Sequence, residues 1–358
     1  MSGEAKFGHA FNLVFGMGAL RLEKILKSFG SFETAWKLSP AETARGAADP
    51  DLEKILEGKK KIDPENEISQ LEKEGISLLF RGDRDYPPLL LETPHPPSVL
   101  YCLGELPDFS APAVAIVGTR KPTRYGFETA RALSRDLAQA GILIVSGLAL
   151  GVDAQAHKGA LEAGGKTIAV LGSGLKQIYP LQNKGIAERM IKEGGAVVSE
   201  FPPMHPPEKW TFPQRNRIIA GLSRAVIVIE APQKSGSLIT ARFGLDYNRE
   251  IGAVPGEISS INSAGPNSLL KNGAALVSSA EDVLALLGLF SSDSSAIDKT
   301  GEDDEYLLDL LAEPAGAEIL VAKSGLKAEI LNQKLTILEL AGKIKNVGGA
   351  FHRTKKIK

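Results

Sequence analysis

Two arginines and an asparagine stand together at Arg215-Asn216-Arg217, directly after a loop at residues 201–213 that carries five prolines. Because proline fixes φ and lacks an N–H group, this loop is unsuited to a central strand. The sequence therefore predicts that both arginines enter the first turn of the following helix, where free backbone N–H groups favour an anion. Two cations there oppose the helix dipole, so an external anion between them is one explanation. A salt bridge to Glu200 or Glu208 is the alternative.

The turn Gly118-Thr119-Arg120-Lys121 follows an apolar strand pattern and precedes a predicted helix. In an open parallel sheet, ligands bind outside the carboxyl ends of the strands, so this turn lies where a ligand site is expected. It lacks the G-x-G-x-x-G spacing of a dinucleotide site. A glycine turn with Arg120, Lys121 and Arg124 at a helix start suits a phosphate group instead, and a solvated basic turn is the alternative.

Two further turns offer similar groups. Ser146 and Gly147 begin the second turn, in which the glycine lets the backbone approach a ligand and Asp153 is expected to cap the next helix. Lys234 begins the third turn and supplies a positive charge. The groups that follow Lys234 either donate to an anion or only cap a helix. They are Ser235, Gly236, Ser237 and Thr240.

Catalytic and metal chemistry has less support. The run at residues 164–167 imitates the end of a P-loop but precedes a strand pattern, so it is interpreted as the end of a helix. Asp153 and His157 stand one helical turn apart without an evident nucleophile. The single cysteine, Cys102, excludes intrachain disulfides and Cys-rich metal sites, and the five histidines lack zinc-site spacing. No metal or cofactor is expected.

The composition is that of an ordinary globular protein, with 358 residues and a formal net charge of -1. A near-neutral chain argues against a uniformly basic nucleic-acid surface but permits a local basic patch. No apolar run approaches the length of a membrane span, and no cleavage site of a signal peptide is evident. The sequence therefore predicts a cytoplasmic protein without membrane contact.

The chain is predicted to divide into five parts. Residues 1–75 have helical periodicity and are expected to form a domain like a SAM or helix-hairpin-helix module. Residues 76–112 are a proline-rich connector that packs on the core. Residues 113–288 alternate apolar strands with helices, which predicts an α/β fold with a doubly wound, mainly parallel, Rossmann-like sheet. Residues 289–304 are a polar linker. Residues 305–358 are expected to form a winged helix.

The predicted strands are continuous apolar runs, as is usual for strands buried on both faces, and the helices between them require parallel pairing. They lie at residues 114–117, 142–145, 167–171, 196–199, 225–229, 252–254 and 275–277.

Short motifs follow one another along the predicted α/β region. They are AIVGTR at 115–120, SGLA at 146–149, GSGL at 172–175, SEFPP at 199–203, RNR at 215–217, SGSLIT at 235–240, VPG at 254–256 and GPN at 265–267. Taken in order, these motifs resemble the DprA/Smf family, the DNA-processing proteins of bacterial transformation. The flanking helical and winged-helix segments extend the resemblance over nearly the whole chain.

The resemblance implies a homodimer, not an enzyme, that binds and protects single-stranded DNA largely without sequence preference. It also implies that the protein loads the recombinase RecA onto that strand during natural transformation. Within the resemblance, Arg120 is the foremost phosphate contact, and Gly174, Lys184 and Lys234 are further DNA-binding candidates. Phe127 and Phe212 are candidates to stack on a base, with a core role as the alternative.

Other interpretations remain open at this point. Related Rossmann-like folds hydrolyse nucleoside monophosphates at similar glycine turns, so a nucleotide hydrolase is the alternative function. The chain lacks a glutamate in a glycine-rich catalytic turn, although Glu200 and Glu230 end strands. The hairpin at residues 15–19 is expected to pack rather than to bind DNA. Lys176 stands where the family often has an acidic residue, and it is expected to compensate for a basic residue missing at Leu150.

Overall fold

The computed structural model describes residues 3–289, 306–326, 328–340 and 342–354. It divides into two compact units, Met1–Leu289 and Phe290–Lys358. The predicted linker beyond residue 289 and the basic residues Lys355, Lys356 and Lys358 lie outside the described residues. Within the described ranges, no helix combines the length and the apolar character needed to cross a membrane.

The first unit begins with short helices around an apolar core that contains Phe11, Ile25, Phe32 and Leu52. Serine and aspartate caps divide this region into short pieces: Ser39, for example, forms a capping box with Glu42. The helices are α1 (Gly3–Leu13), α2 (Gly18–Phe29), α3 (Phe32–Lys37), α4 (Pro40–Gly46), α5 (Asp51–Leu56) and α6 (Pro64–Lys73), with a 3-10 turn at Glu57–Lys61.

A nine-stranded sheet forms the centre of the same unit, in the order β1-β2-β6-β5-β4-β3-β7-β8-β9. The strands β3 to β9 are parallel, whereas β1 and β2 run antiparallel at one edge. The strands are β1 (Ile76–Phe80), β2 (Val99–Gly104), β3 (Ala113–Val117), β4 (Leu143–Ser146), β5 (Thr167–Val170), β6 (Ala196–Ser199), β7 (Ala225–Val228), β8 (Glu250–Ala253) and β9 (Ala275–Leu276).

The two antiparallel strands come from the segment that the sequence describes as a proline-rich connector. Five of its seven prolines lie between β1 and β2 and the other two follow β2, so they leave the hydrogen-bonding of both strands intact. Tyr101 of β2 pairs with Ser199 of β6, which places the connector in the sheet itself. The parallel strands agree with the predicted strands to within two residues at either end.

Helices cover both faces of the sheet, as predicted for a doubly wound fold. One face packs against α8 and α9, and the other packs against α11 and α12. The strand order reverses between β3 and β7. The helices are α7 (Pro88–Leu91), α8 (Arg124–Gln139), α9 (Val152–Glu162), α10 (Lys184–Lys192), α11 (Thr211–Gly221), α12 (Gly236–Asp246), α13 (Ala264–Lys271) and α14 (Ala280–Leu286), with 3-10 turns at Leu181–Asn183 and Ile261–Ser263.

A buried polar cluster joins the helical region to the sheet. The Tyr101 hydroxyl on β2 lies 2.8 Å from His9 Nδ1 and accepts a hydrogen bond from Asn12 Nδ2 at 3.2 Å. Asn12 Nδ2 also donates to the Glu200 carbonyl at 3.0 Å. Because buried polar groups are costly unless they are paired, this cluster fixes α1 against the end of β6.

The second unit contains a helix at residues 306–310 (α15), α16 (Ala317–Ser324), α17 (Ala328–Leu340) and a small antiparallel sheet in the order β10-β12-β11. The strands are β10 (Ala315–Gly316), β11 (Ile344–Val347) and β12 (Ala350–Arg353). Leu307, Leu320, Leu335 and Ile344 form its core. This helix-and-hairpin order is the one predicted for a winged helix.

Candidate nucleic-acid interface

A cleft of about 880 Å³ opens at the carboxyl ends of β3 and β7, where the strand order reverses. This is the position at which doubly wound sheets bind their ligands. The cleft brings together most of the first and third predicted turns with part of α11. The predicted residues that line it are Gly118, Thr119, Arg120, Lys121, Arg215, Asn216, Ser235, Gly236, Ser237 and Thr240.

The first turn has a fixed backbone and free side chains. A Cβ atom on Gly118 would lie 2.6 Å from a Val152 methyl carbon and 2.9 Å from the Glu230 carbonyl oxygen, so only glycine fits there. The Thr119 N–H donates to that same carbonyl at 2.7 Å. Arg120 and Lys121 are exposed on this rigid support. Their cationic ends can therefore reach a backbone phosphate in the cleft.

The helix start beside this turn is already occupied by a carboxylate, which corrects the expected phosphate position. Glu230 accepts hydrogen bonds from the Thr123 N–H at 2.8 Å and from its hydroxyl at 2.6 Å. The Thr123 hydroxyl oxygen in turn accepts the Gly126 N–H at 3.2 Å and caps α8. Because a phosphate would meet the Glu230 carboxylate at this position, the contacts of the first turn must come from side chains.

Aromatic rings form one side of the cleft. The Arg120 guanidinium lies 5.2 Å from the centroid of the Phe212 ring, and Phe212 lies 5.8 Å from the Tyr179 ring. Phe212 is half-buried and Tyr179 is 45% exposed. Phe212 thus lies in the cleft, whereas Phe127 is not among its lining residues. A cation beside exposed rings suits a nucleotide, whose base stacks while its phosphate pairs.

Arg215 does not lie in the first turn of its helix. The helix α11 already begins at Thr211, because proline is tolerated in a first turn and Pro213 therefore does not delay the start. Arg215 is 5% exposed and donates to the carbonyls of Gly147, at 2.6 Å, and Val170. Burial lowers its pKa to about 10. The guanidinium forms the floor of the cleft and connects two strand ends.

Arg217 is also in the body of α11, and it faces away from the cleft. It is 8% exposed, forms an ion pair with Glu200, and donates to the His95 carbonyl at 2.6 Å. Burial raises the pKa of Glu200, while the Arg217 charge opposes that rise. The alternative considered from the sequence, a salt bridge to Glu200, is therefore correct for Arg217.

The second turn supports the cleft from behind. Asp153 does not cap its own helix; its Oδ2 accepts the N–H groups of Gly147, at 3.1 Å, and Ala149, at 3.4 Å. Burial raises the pKa of Asp153, and the nearby Arg215 charge opposes this. Ser146 donates to the Ile116 carbonyl at 2.6 Å, and a Cβ on Gly147 would collide with the Arg215 guanidinium. Ser146 and Gly147 are thus structural supports.

The third turn opens toward the cleft. The Ser235 hydroxyl oxygen accepts the Ser237 N–H at 3.3 Å and caps α12, so the capping alternative is also correct. Asn216 connects this turn to the floor, since its Nδ2 donates to the Gly236 carbonyl at 3.1 Å. The start of an eleven-residue helix therefore directs its positive dipole end into the cleft.

Several predicted residues lie outside the cleft. Gly174 lies under the proline-rich loop, where its N–H donates to the His205 carbonyl at 2.8 Å. Lys184 is exposed, and its Nζ lies 3.7 Å from Oε1 of Glu188 on the next turn of α10. Lys234 is exposed at the beginning of the third turn and does not line the cleft. Lys176 pairs with Glu74 at 2.6 Å, so it does not replace a charge in the cleft.

The sequence interpretation missed Tyr179, Lys209 and Asn262, which also line the cleft. The aromatic residue four positions after the glycine turn at 172–175 is a usable signal for Tyr179, whereas no motif marks Lys209, which lies in the proline-rich loop. Of the described residues that line the cleft, four are cations and two are carboxylates. The cleft therefore carries a basic surplus on a chain whose formal net charge is -1.

The carboxylates considered for hydrolysis are engaged in structure. Glu230 accepts a hydrogen bond from the Thr123 hydroxyl, and Glu200 forms an ion pair with Arg217. His157 is fully buried against the Thr167 hydroxyl at 2.8 Å, and burial lowers its pKa to about 3. Among the described residues, no group of three histidine, cysteine or acidic side chains is placed to hold a metal ion.

Two family models match the chain. The model described as DNA recombination-mediator protein A matches residues 77–288, and the model described as DprA winged helix domain matches residues 291–350. A curated relative, Protein Smf of Synechocystis sp., is 41% identical over 291 residues, which cover 80% of this chain and 73% of the relative. DNA processing protein DprA of Bacillus subtilis is 41% identical over 217 residues, 60% of this chain and 73% of that protein.

Two solved structures are similar as well. DNA processing protein A from Streptococcus pneumoniae has a TM-score of 0.67 at 35% identity, covering 80% of this chain and 98% of that one. A structure of DNA processing protein A from Helicobacter pylori, which concerns its single-stranded DNA binding mode, has a TM-score of 0.53 at 34% identity and covers 59% of this chain and 95% of that one. The Rossmann-like and winged-helix assignments are thereby confirmed.

Proposed function

The chain belongs to the DNA recombination-mediator protein A family, a family of DNA-binding mediators rather than enzymes, and we propose that its cleft binds single-stranded DNA largely without sequence preference. One observation carries the proposal. Arg120 is exposed on a rigid turn and lies over the ring of Phe212 in a cleft with a basic surplus. A phosphate and its neighbouring base can be bound together by such a pair.

A single strand fits this chemistry better than a duplex. Exposed rings such as Tyr179 are accessible only to bases that have left the stack of a double helix. The cations Arg120, Lys121 and Lys209 can pair with backbone phosphates, and such contacts do not depend on the identity of the bases. Binding through phosphates and ring faces is therefore expected to vary little with sequence and strongly with salt. The relative from H. pylori binds the same ligand, single-stranded DNA.

The experiment is a fluorescence-anisotropy titration of labelled oligonucleotides with the full chain. Arg120→Ala should weaken single-strand binding by about 10- to 150-fold, because a charged hydrogen bond contributes about 1.5–3 kcal/mol. Arg124→Ala is the matched control, since Arg124 is highly exposed, pairs with Glu128 and does not line the cleft. Equal losses in the two variants would reject the cleft as the binding site.

We also propose that the bound strand is protected and passed to the recombinase RecA during recombination and natural transformation, and that the protein acts as a homodimer. Exposed apolar residues support a second copy at the β9 edge, where Leu276 is 57% exposed. Leu276→Arg should convert a dimer to a monomer in sedimentation equilibrium. For loading, the intact chain should accelerate RecA filament formation on a strand already coated by a single-strand-binding protein, and Arg120→Ala should not.

A further inference from the structure

A second groove, of about 1170 Å³, lies on the other side of the segment at residues 208–212. It runs between the hairpin at residues 14–20 and the proline-rich loop, and its walls are mainly apolar. Glu208 lines both this groove and the cleft, so the two are adjacent. Trp210 lies in the groove, whereas Phe212, two residues further on, lies in the cleft.

We propose that a single strand leaving the cleft continues into this groove and that Trp210 stacks on one of its bases. The proposal rests on the proposed function of the cleft. Trp210 and Phe212 have Cα atoms at most about 7.6 Å apart, since consecutive Cα atoms are 3.8 Å apart. Adjacent phosphates of one strand are spaced about 3.4 Å along a duplex and further apart in an extended strand. Because the two rings lie on opposite sides of this segment, a strand of several nucleotides, longer than the shortest strand that fills the cleft, connects them.

Trp210 has the properties of a stacking platform. Its side chain is 52% exposed although it is among the largest apolar groups of the chain. The rings of Phe201 and His205 hold it edge-on, each with its centroid 5.8 Å from that of Trp210. The indole N–H donates to the Glu208 carboxylate, which fixes the ring plane further. A pre-oriented ring loses little entropy when it binds a base.

The charges determine which part of the strand enters the groove. Among the described residues that line it, three are lysine or arginine and four are carboxylates, in contrast to the basic surplus of the cleft. Phosphates are therefore disfavoured in the groove, and apolar walls with exposed rings favour bases. Phe15, which is 98% exposed, forms part of the opposite wall. The backbone is expected to pass over Lys209, at the rim of the cleft.

Tryptophan fluorescence tests this directly, because the chain has two tryptophans and a stacked base quenches indole emission. Trp36 packs against Phe7 and Phe11 in the helical region. In a Trp36→Phe background, oligo-dT from about 4 to about 16 nucleotides is added, the range of site sizes known for single-strand-binding folds. Anisotropy of a labelled strand is followed in parallel. We expect Trp210 emission to fall on binding, and to fall further with the longer strands.

The matching variants measure the affinity. Trp210→Ala should weaken binding of the longer strands by about 5- to 150-fold, the loss of one stacked base, and should leave the shortest strands nearly unaffected. Trp210→Phe keeps a ring and should retain most of the affinity, which separates stacking from misfolding. The groove proposal would be overturned if Trp210 emission did not change on binding and if Trp210→Ala kept its affinity at every strand length. If Arg120→Ala still lost binding, the proposal for the cleft would stand. That result would make the groove a protein-contact surface. Absence of any single-strand binding by the intact chain would overturn both.

Discussion

Replacing Arg215 by alanine tests whether this arginine supports the cleft or contacts DNA. The structure assigns it a supporting role, since its guanidinium donates to the carbonyls of Gly147 and Val170 and lies close enough to Asp153 for the two charges to interact. Arg215→Ala removes these donors and leaves a buried carboxylate without its cation. The main expected effect is therefore on the free energy of unfolding.

The size of the effect follows from these contacts. Hydrogen bonds from a charged donor contribute about 1.5–3 kcal/mol each, and removing one partner of a buried charge pair costs about 3–5 kcal/mol. The two contributions overlap, so we expect a loss of about 4 kcal/mol. For a chain of this size, that corresponds to a fall in Tm of roughly 5–7 °C. Arg120→Ala, which alters an exposed side chain, should change stability by less than about 0.5 kcal/mol.

Differential scanning calorimetry of four proteins checks the reasoning: the unaltered chain, Arg215→Ala, Asp153→Asn and the double variant. Because the double variant buries no unpaired charge, Asp153→Asn should recover at least about 1 kcal/mol in the Arg215→Ala background. A supporting role for Arg215 would be refuted if Arg215→Ala melted like the unaltered chain and lost single-strand affinity. In that case the arginine would be a DNA contact, as the sequence first indicated.

Three further predictions concern other parts of the first unit. Gly126→Ala should lower the free energy of unfolding by about 1–3 kcal/mol in urea titrations, because the new methyl group would collide with the Glu230 carboxylate; an unchanged midpoint would contradict this. Burial lowers the pKa of His9 to about 4 from an ordinary 6.5. Between these two pH values the unfolded chain binds a proton that the folded chain does not, so His9 destabilises the fold by about 1.4 kcal/mol for each unit by which the pH falls through that window. Buried carboxyl groups with raised pKa act in the opposite direction, so the check is that His9→Gln has a shallower fall of Tm in acid than the unaltered chain. Lys176→Ala should leave single-strand affinity within about twofold, because Lys176 pairs with Glu74 outside the cleft and an exposed pair contributes little; a loss like that of Arg120→Ala would contradict the assignment.

The parallel strands and crossover helices could be predicted because each is a local apolar pattern, and glycine directly follows some of the strands, as at Gly118 and Gly147. The positions of the first and third turns followed from those strands, since the carboxyl ends of parallel strands share one edge. The two antiparallel strands were less accessible. Prolines dominate residues 87–97, and the partner of β2 is β6, which lies about 95 residues away along the chain.

The roles of individual cations could not be read from the sequence. Arg120 and Arg215 both look like free charges beside a glycine or a proline, yet the first is exposed and the second is 5% exposed. The difference arises because α11 begins at Thr211, which turns Arg215 inward toward Gly147. Which of the two guanidinium groups stays exposed to a ligand depends on the tertiary packing.

The central claim is that Arg120 and its neighbours bind the phosphates of a single strand, and the salt dependence of binding measures this most directly. With three exposed cations at the cleft, the slope of log K against log salt should be about -2, since each neutralised phosphate contributes about -0.7 for single strands. Affinity should then fall about 20-fold between roughly 50 and 200 mM salt. Arg120→Ala should reduce the slope by about 0.7, and Arg124→Ala should not. A flat salt response, or the same slope in the chain and in Arg120→Ala, would contradict the account.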